Sequence, residues 1–383
     1  MRVALVGDEY YPDISGVPRY AFELSHRLAR LGIEPVVITH THAGQPEEEE
    51  ISGVKIRRIP GLVLNSPHRA ASPFLFRRCH AYIREGRFDV VHGLDIYSSM
   101  ADMAVLFARK HHIPCVLTCH SVNESYLSVS LQRLVLFPIR KANAVIAVSR
   151  ASERFCRSLG VASQRIAIIP NGVDLSSFNQ KQDGTLMRKK LGLYEQPVVM
   201  TALRLIRRKD PARLVALFPK ILEVIPEAKL VIAGSGPEEA NLTRQIKRLD
   251  IADSVFLAGG LQKEEIAPLM AGADVFVLPS RAEAFGLSLL EAAAAGLPVV
   301  CPNAGGIPEV FRDNYDAVLC PPGDDYAIAR AIICLIQDRE FANKLRRNAI
   351  GTARRFTWEI AAKRTLRVYE KVCQENTKDC SHH

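Results

Sequence analysis

What the chain lacks narrows the field first. No Cys-x-x-Cys occurs, and the nine cysteines are odd in number and scattered, with Cys115 and Cys119 the only close pair. A disulfide framework or a zinc site is therefore not expected, and a reducing, cytoplasmic compartment is favoured. No apolar run is long enough to span a bilayer. The opening Met1-Arg2-Val3-Ala4-Leu5-Val6-Gly7 is interrupted too soon by Asp8 and Glu9 to be a secretory signal, and reads as a first buried strand. Acids are nearly missing from one stretch: between Ile51 and Arg87 stand eight basic residues and a single acid, Glu85. Such a stretch fits an anionic membrane surface or an acidic acceptor as well as an ordinary solvated face. It has no nucleic-acid motif and no interleaved aromatic platform, so nucleic acid is not expected as a partner.

What is present is globular. With 48% hydrophobic residues in 383, there is enough apolar material for two sizeable cores. Short apolar runs at Val3–Val6, Pro35–Ile38, Val90–Val91, Cys115–Thr118, Ala144–Val148 and Ile166–Ile169 alternate with amphipathic helical patterns. The alternation restarts at Val198–Ala202, Leu230–Ala233, Val255–Leu257, Val275–Leu278, Pro298–Cys301 and Ala317–Leu319. Strand–helix alternation of this kind predicts an α/β fold with parallel sheets covered on both faces. The polar stretch Asn179–Gly184 marks the seam. The expected organisation is two doubly wound Rossmann-like domains, 1–183 and 184–356, facing each other across a cleft, followed by a last helical segment, 357–373.

Ligands bind at the carboxyl ends of parallel strands, so the loops after strands carry the candidates. Tyr10-Tyr11-Pro12-Asp13-Ile14-Ser15-Gly16 follows the first strand, and Gly16 would let backbone approach a phosphate or sugar. His120 follows the strand ending at Thr118, a position as compatible with a packed histidine as with a ligand contact. Arg204 and Lys209 follow the strand ending at Ala202, where two cations could neutralise a diphosphate or simply face solvent. Gly234-Ser235-Gly236 opens a helix and fits either a tight turn or a nucleotide contact.

The most informative run is Glu283-Ala284-Phe285-Gly286-Leu287-Ser288-Leu289-Leu290-Glu291. It joins a buried strand to a helix rich in Leu and Ala, with Gly286 between them. Backbone N–H groups at Phe285, Gly286 and Leu287 then open a helix and can meet a phosphate or a sugar hydroxyl. Glu291, a little over one turn into that helix, can accept from two ribose hydroxyls, and Glu283 can do the same for a sugar ring. Each acid is equally compatible with ordinary helix-start chemistry.

Together these pieces resemble retaining glycosyltransferases of the GT-B fold, family-4 type. The resemblance runs from Val3 to about Val372. It is carried chiefly by Glu283 through Glu291 and on through Ala295-Gly296-Leu297-Pro298-Val299-Val300 to Gly305-Gly306-Ile307-Pro308-Glu309. Pro170-Asn171-Gly172-Val173-Asp174, Arg204 to Lys209, and Phe356-Thr357-Trp358 are further matching blocks. The resemblance implies a nucleotide-sugar donor, no cofactor, and a last helix that returns to the first domain. It implies that Glu291 binds ribose and Glu283 the donor sugar, with Phe285, Gly286 and Leu287 serving phosphate and sugar hydroxyls. Arg204 and Lys209 would stabilise the leaving diphosphate. Gly16 and Gly234 would contribute to donor binding, and His120 would contact the transferred sugar.

Two positions depart from the family pattern. Ser15-Gly16 stands where a Gly-Gly pair is usual, and Asp210 stands where Gly usually follows the lysine. The acid could weaken the local positive field or cap the helix starting at Pro211. Leu117-Thr118-Cys119-His120-Ser121 and the segment down to Val148-Ser149 are similar to phosphatidylinositol N-acetylglucosaminyltransferase catalytic subunits. That similarity implies UDP-N-acetylglucosamine as donor and an inositol phospholipid or another polyol phosphate, small or lipid-linked, as the hydroxyl acceptor. No Asp-x-Asp occurs, so no essential divalent metal is expected and the two cations would take its place. The same fold also supports nucleotide-sugar epimerases, phosphorylases and catalytically silent modules that bind a nucleotide-sugar or lipid head group. Turnover of donor with and without acceptor separates these readings.

Overall fold

Fourteen strands in two sheets organise the described residues of this computed structural model, which are 1–13, 15–41, 44–60, 73–122, 129–179 and 183–380. The first sheet holds β1 (Arg2–Val6), β2 (Glu34–His40), β3 (Glu48–Ile51), β4 (Val54–Ile59), β5 (Val90–Gly93), β6 (Cys115–Cys119), β7 (Ala144–Ala147) and β8 (Ile166–Ile168). Their order is β3-β4-β2-β1-β5-β6-β7-β8, and every pairing is parallel except that of β3 with β4. Val3, Ala4, Leu5 and Val6 are all fully buried, because helices cover both faces of a parallel sheet and leave no polar side for alternation.

Strands β3 and β4 were not expected. Four consecutive glutamates, Glu47 to Glu50, are depleted residue types for a strand, and β4 alternates Val54 and Ile56 with Lys55 and Arg57. Register explains them: Glu48 faces Arg57 and Glu50 faces Lys55, so opposite charges stand across the edge pair. The basic stretch 51–87 is accordingly no bare cationic face. Arg57 pairs with Glu48 at 3.3 Å, Arg58 with Glu49, Arg78 with Glu47 at 3.3 Å and Lys55 with Glu34 at 3.5 Å. On the helix Pro73–Glu85, Leu75 and Ile83 belong to the core and Phe74 is exposed. Arg69 lies outside the described residues.

The second sheet holds β9 (Val198–Ala202), β10 (Lys229–Ala233), β11 (Val255–Gly259), β12 (Val275–Val277), β13 (Val299–Pro302) and β14 (Val318–Cys320). Its order is β11-β10-β9-β12-β13-β14, wholly parallel. Counted within this sheet that is 3-2-1-4-5-6, the dinucleotide-fold order, and its direction of growth reverses between β9 and β12.

The chain divides into two compact units, one of Met1–Asn171 together with the stretch from Trp358, the other Gly172–Thr357. The break therefore falls ahead of the polar stretch 179–184, of which 180–182 lie outside the described residues. Asp174 explains the shift. Its carboxylate accepts from Ser176 N at 3.0 Å and Ser177 Oγ at 3.0 Å, and pairs with Lys263 of the second unit. The last helix, Trp358–Cys380, runs past the expected end at 373 and counts with the first unit, where Arg27 pairs with Glu359 at 3.0 Å. Among the described residues no helix is long and apolar enough to cross a membrane.

The Asp174 pair gives a testable acid dependence. Burial pushes its carboxyl up, but the Lys263 and Ser176 hydrogen bonds and the lysine's charge bring it well below the usual 3.8. A depressed acid contributes stability that is whole above its unfolded value and is lost as pH falls toward the folded one. Lys263→Met should lower the thermal midpoint at pH 7, and its gap from the parent should shrink as pH drops below 3.8. A gap that stays constant across that range would refute the pairing.

Candidate functional site

The loops after β9 and β12 flank the point where the second sheet reverses, and they bring Lys209 and Glu283 together. After β9 the chain passes half-buried Arg204 and winds one tight turn, Arg207–Lys209. Asp210 closes that turn in the left-handed region at φ 50°. This explains the glycine usual there, and aspartate is among the few side chains that tolerate the conformation. It corrects the capping expectation: the Asp210 side chain makes no cap hydrogen bond, and instead faces Arg281 at 3.7 Å. Asp210→Gly should raise stability by roughly 1 kcal/mol through relief of that strain, measured by denaturant unfolding.

Lys209 Nζ donates to both oxygens of Glu283, each at 2.6 Å. Burial pushes the Glu283 carboxyl up, but the charge and hydrogen bond of Lys209, with Arg208 adding, outweigh it and hold the group below its usual range. Glu283 is thus a buried, ionised acceptor held by a cation.

Two supports hold its surroundings: Gly305 stood in the sequence only as part of the matching block, with no role given, and Arg213 was not singled out. Gly305, at φ 65°, lets the loop after β13 lie against Glu283, where a Cβ would stand 2.0 Å from the Glu283 carbonyl oxygen. That same oxygen accepts from Gly306 N at 2.8 Å. On the other side, buried Arg213 pairs with Asp325 and donates to the Pro279 carbonyl at 3.4 Å. The signal for the first was the Gly-Gly pair just past a strand. Arg213 sat unmarked in an amphipathic helix.

Gly286 stands at the start of the helix Leu287–Ala295 with φ 86°. The helix's own bonding begins with Leu289 N and Leu290 N donating to the Gly286 carbonyl. The N–H groups of Gly286, Leu287 and Ser288 precede that ladder and have no carbonyl within the helix to meet. Phe285 is buried with its ring 6.0 Å from that of Phe356, and Glu291 is buried in the second turn. The helix start, Glu283 and Lys209 therefore share one end of the sheet.

Gly234 has a packing reason. At φ 144° it lies against the loop after β9, where a Cβ would stand 1.8 Å from the Leu203 carbonyl oxygen. Its N–H donates to the Gly259 carbonyl at 2.7 Å, so close packing of neighbouring segments already requires a glycine here. Leu205 N donates to Ser235 O at 2.9 Å, which clips the Arg204 loop to the same turn.

Gly16 and His120 belong to the first unit. Gly16 is exposed as the first residue of the helix Gly16–Arg30, behind Ser15 in extended conformation. Ile14 of that loop lies outside the described residues. His120 follows β6, half-buried, with its ring 4.4 Å from that of Tyr20. Burial pushes its imidazole down to about 3, against a hydrogen bond to the Leu94 backbone, so it is neutral at physiological pH.

Comparison with known proteins bears on both units. Residues 14–177 match the Glycosyltransferase Family 4 domain, and residues 183–352 match Glycosyl transferases group 1. Over 93% of its length the chain is 30% identical to D-inositol 3-phosphate glycosyltransferase of Xylanimonas cellulosilytica, covering 92% of that protein. It is 27% identical to one component of the phosphatidylinositol N-acetylglucosaminyltransferase of Homo sapiens, over 98% of this chain and 77% of the relative. In fold it is similar to Anabaena HepE crystallised with UDP and glucose, with a TM-score of 0.80 at 20% identity, covering 100% of this chain and 99% of that one.

Proposed function

Because the chain belongs to the group 1, family-4 glycosyltransferases of GT-B fold, we propose that it moves a hexose, N-acetylglucosamine first among candidates, from a UDP-type donor to a hydroxyl of an inositol phospholipid or other polyol phosphate. The observation that carries the reading is the Lys209–Glu283 contact, 2.6 Å to each carboxylate oxygen, beside the start of the helix Leu287–Ala295. An ammonium has three donors, so Lys209 can keep Glu283 in place and still face a phosphate.

Departure of the nucleoside diphosphate puts negative charge on the leaving oxygen and positive character on the sugar ring. Lys209, Arg204 and the N–H groups at the helix start address the first, each preorganised donor lowering the barrier by about 3 kcal/mol. Glu283 accepts from the sugar's hydroxyls, Glu291 from the ribose, and Phe285 packs behind the phosphate loop. On the first unit, Gly16 is assigned to the phosphates and His120 to the transferred sugar. Retention is assigned to front-face attack, with the leaving phosphate taking the acceptor's proton, because Glu283 is already committed to Lys209 and to sugar hydroxyls. Two cations stand in this scheme where other transferases use a divalent metal.

Names of relatives support the finer choices: HepE was crystallised with UDP and glucose, and the two sequence relatives are named for inositol acceptors and N-acetylglucosamine. A thermal-shift screen of nucleotide-sugars tests the donor, since a ligand selective for the folded state raises the midpoint. UDP-N-acetylglucosamine should raise it, and NMR of the product should show the donor's anomeric configuration. No shift with any UDP-sugar, or an inverted product, sinks the proposal. Peripheral docking through 51–87 would bring exposed Phe74 and Arg77 to a lipid-linked acceptor; sedimentation with anionic vesicles at low salt tests it, and no binding there ends it.

A further inference from the structure

A chain of buried polar side chains crosses the first unit from the last helix to the neighbour of His120. The Tyr369 hydroxyl lies 2.6 Å from His92 Nδ1, His92 Nε2 lies 2.7 Å from Thr118 Oγ1, and that oxygen lies 3.2 Å from the Tyr20 hydroxyl. Tyr369, His92 and Thr118 are fully buried and Tyr20 nearly so. The Tyr20 ring then stands at 68° to that of His120. Tyr20 lies one turn into the helix that Gly16 begins, and Thr118 lies two residues before His120.

We propose that Tyr369 is a positioning residue for His120, acting through His92, Thr118 and Tyr20. This rests on the reading that His120 meets the transferred sugar. Burial holds His92 neutral, so its ring offers one donor and one acceptor. Whichever nitrogen carries the proton, Tyr369 and Thr118 must take opposite roles toward it, and Thr118 in turn orders the Tyr20 hydroxyl. With the proton on Nδ1, Thr118 spends its only hydrogen on His92 and the bonds run in one direction from Tyr20 to Tyr369. With it on Nε2, Thr118 accepts from His92. In either case consecutive bonds reinforce one another in a low-dielectric interior. Apolar contacts at Ala361, Ala362 and Val372 already hold the last helix to its unit. An anchor alone would not need three consecutive polar contacts ending against the ring that faces His120.

The test is Tyr369→Phe, which deletes only the hydroxyl, in full-length protein with 15N-labelled histidine. The proposal expects the His120 imidazole signals to move and kcat to fall roughly ten- to a hundredfold, with little change in donor KM. Thr118→Val should reproduce both effects and Thr118→Ser should recover most of the loss, since it keeps the hydroxyl. Tyr20→Phe serves if Tyr369→Phe does not fold. Unmoved His120 signals, whatever the rate, make Tyr369 a structural anchor and overturn the proposal. Moved signals with unchanged kcat overturn it as well. If His120→Ala turns over as fast as the parent, the premise about His120 fails, and that result is distinct from either NMR outcome.

Discussion

Lys209→Met should lose turnover by about a hundred- to a thousandfold and destabilise the protein together, because one cation both holds a buried acid and faces the leaving group. Glu283 is 7% exposed in its side chain and has both oxygens on Lys209. Removing one partner of such a pair leaves an uncompensated buried charge, at a cost of about 3 kcal/mol or more. The pH dependence should change sign. In the parent Glu283 is depressed, so its contribution is whole above its unfolded value of 4.5 and declines as pH falls below that. Without the lysine, burial is opposed only by the Arg208 charge and the Ser280 hydrogen bond, and the acid is expected to rise. The variant should then gain stability as pH is lowered from 7 toward 4.5 while the parent does not. Adding Glu283→Gln should recover most of the stability and none of the turnover. Denaturant unfolding and steady-state rates on the two variants separate these effects, and a Lys209→Met protein of parental stability would count against the buried pair.

Gly305→Ala is expected to disable the enzyme without touching any charged group. A methyl there would stand 2.0 Å from the Glu283 carbonyl oxygen, a distance no packing tolerates, so backbone must move at Glu283 or at the loop after β13. Either movement disturbs the 2.8 Å bond from Gly306 N and carries the carboxylate away from Lys209. A displacement of about 1 Å near reacting atoms can lower rate a hundredfold. The control is Gly259→Ala, at φ 72° with nothing within 4 Å of the added methyl. It carries the strain of the left-handed backbone, about 1–2 kcal/mol, and none of the collision. Equal losses of activity in the two variants would mean that Gly305 supplies only backbone freedom.

Most of both sheets was legible because buried parallel strands read as continuous apolar runs and their order along the chain needs no tertiary information. Val275 to Leu278 followed by Leu287 to Ala295 sufficed to place Glu283 before a loop and Glu291 inside a helix. What escaped depends on contacts distant in sequence. Strands β3 and β4 are charged edge strands, and only Glu48 facing Arg57 and Glu50 facing Lys55 makes glutamate a sensible strand residue there. Gly305 lies 22 residues from Glu283 in the chain, yet β12 and β13 are neighbours in the sheet, so its collision partner follows from strand order alone. Asp210 misled for a local reason. An acid ahead of a helix reads as a cap, whereas its left-handed backbone turns the carboxylate elsewhere.

The return of the last helix to the first unit has a consequence in time. A ribosome delivers residues 1–171 early, but Trp358 and Tyr369 emerge only after all of Gly172–Thr357 has been made. Until then His92 lacks its Tyr369 partner and the surface that Trp358, Ala361 and Val372 will cover is bare. The half that is synthesised first is therefore the half completed last, and a chain released with a stop before residue 358 should mature its second unit while its first still waits.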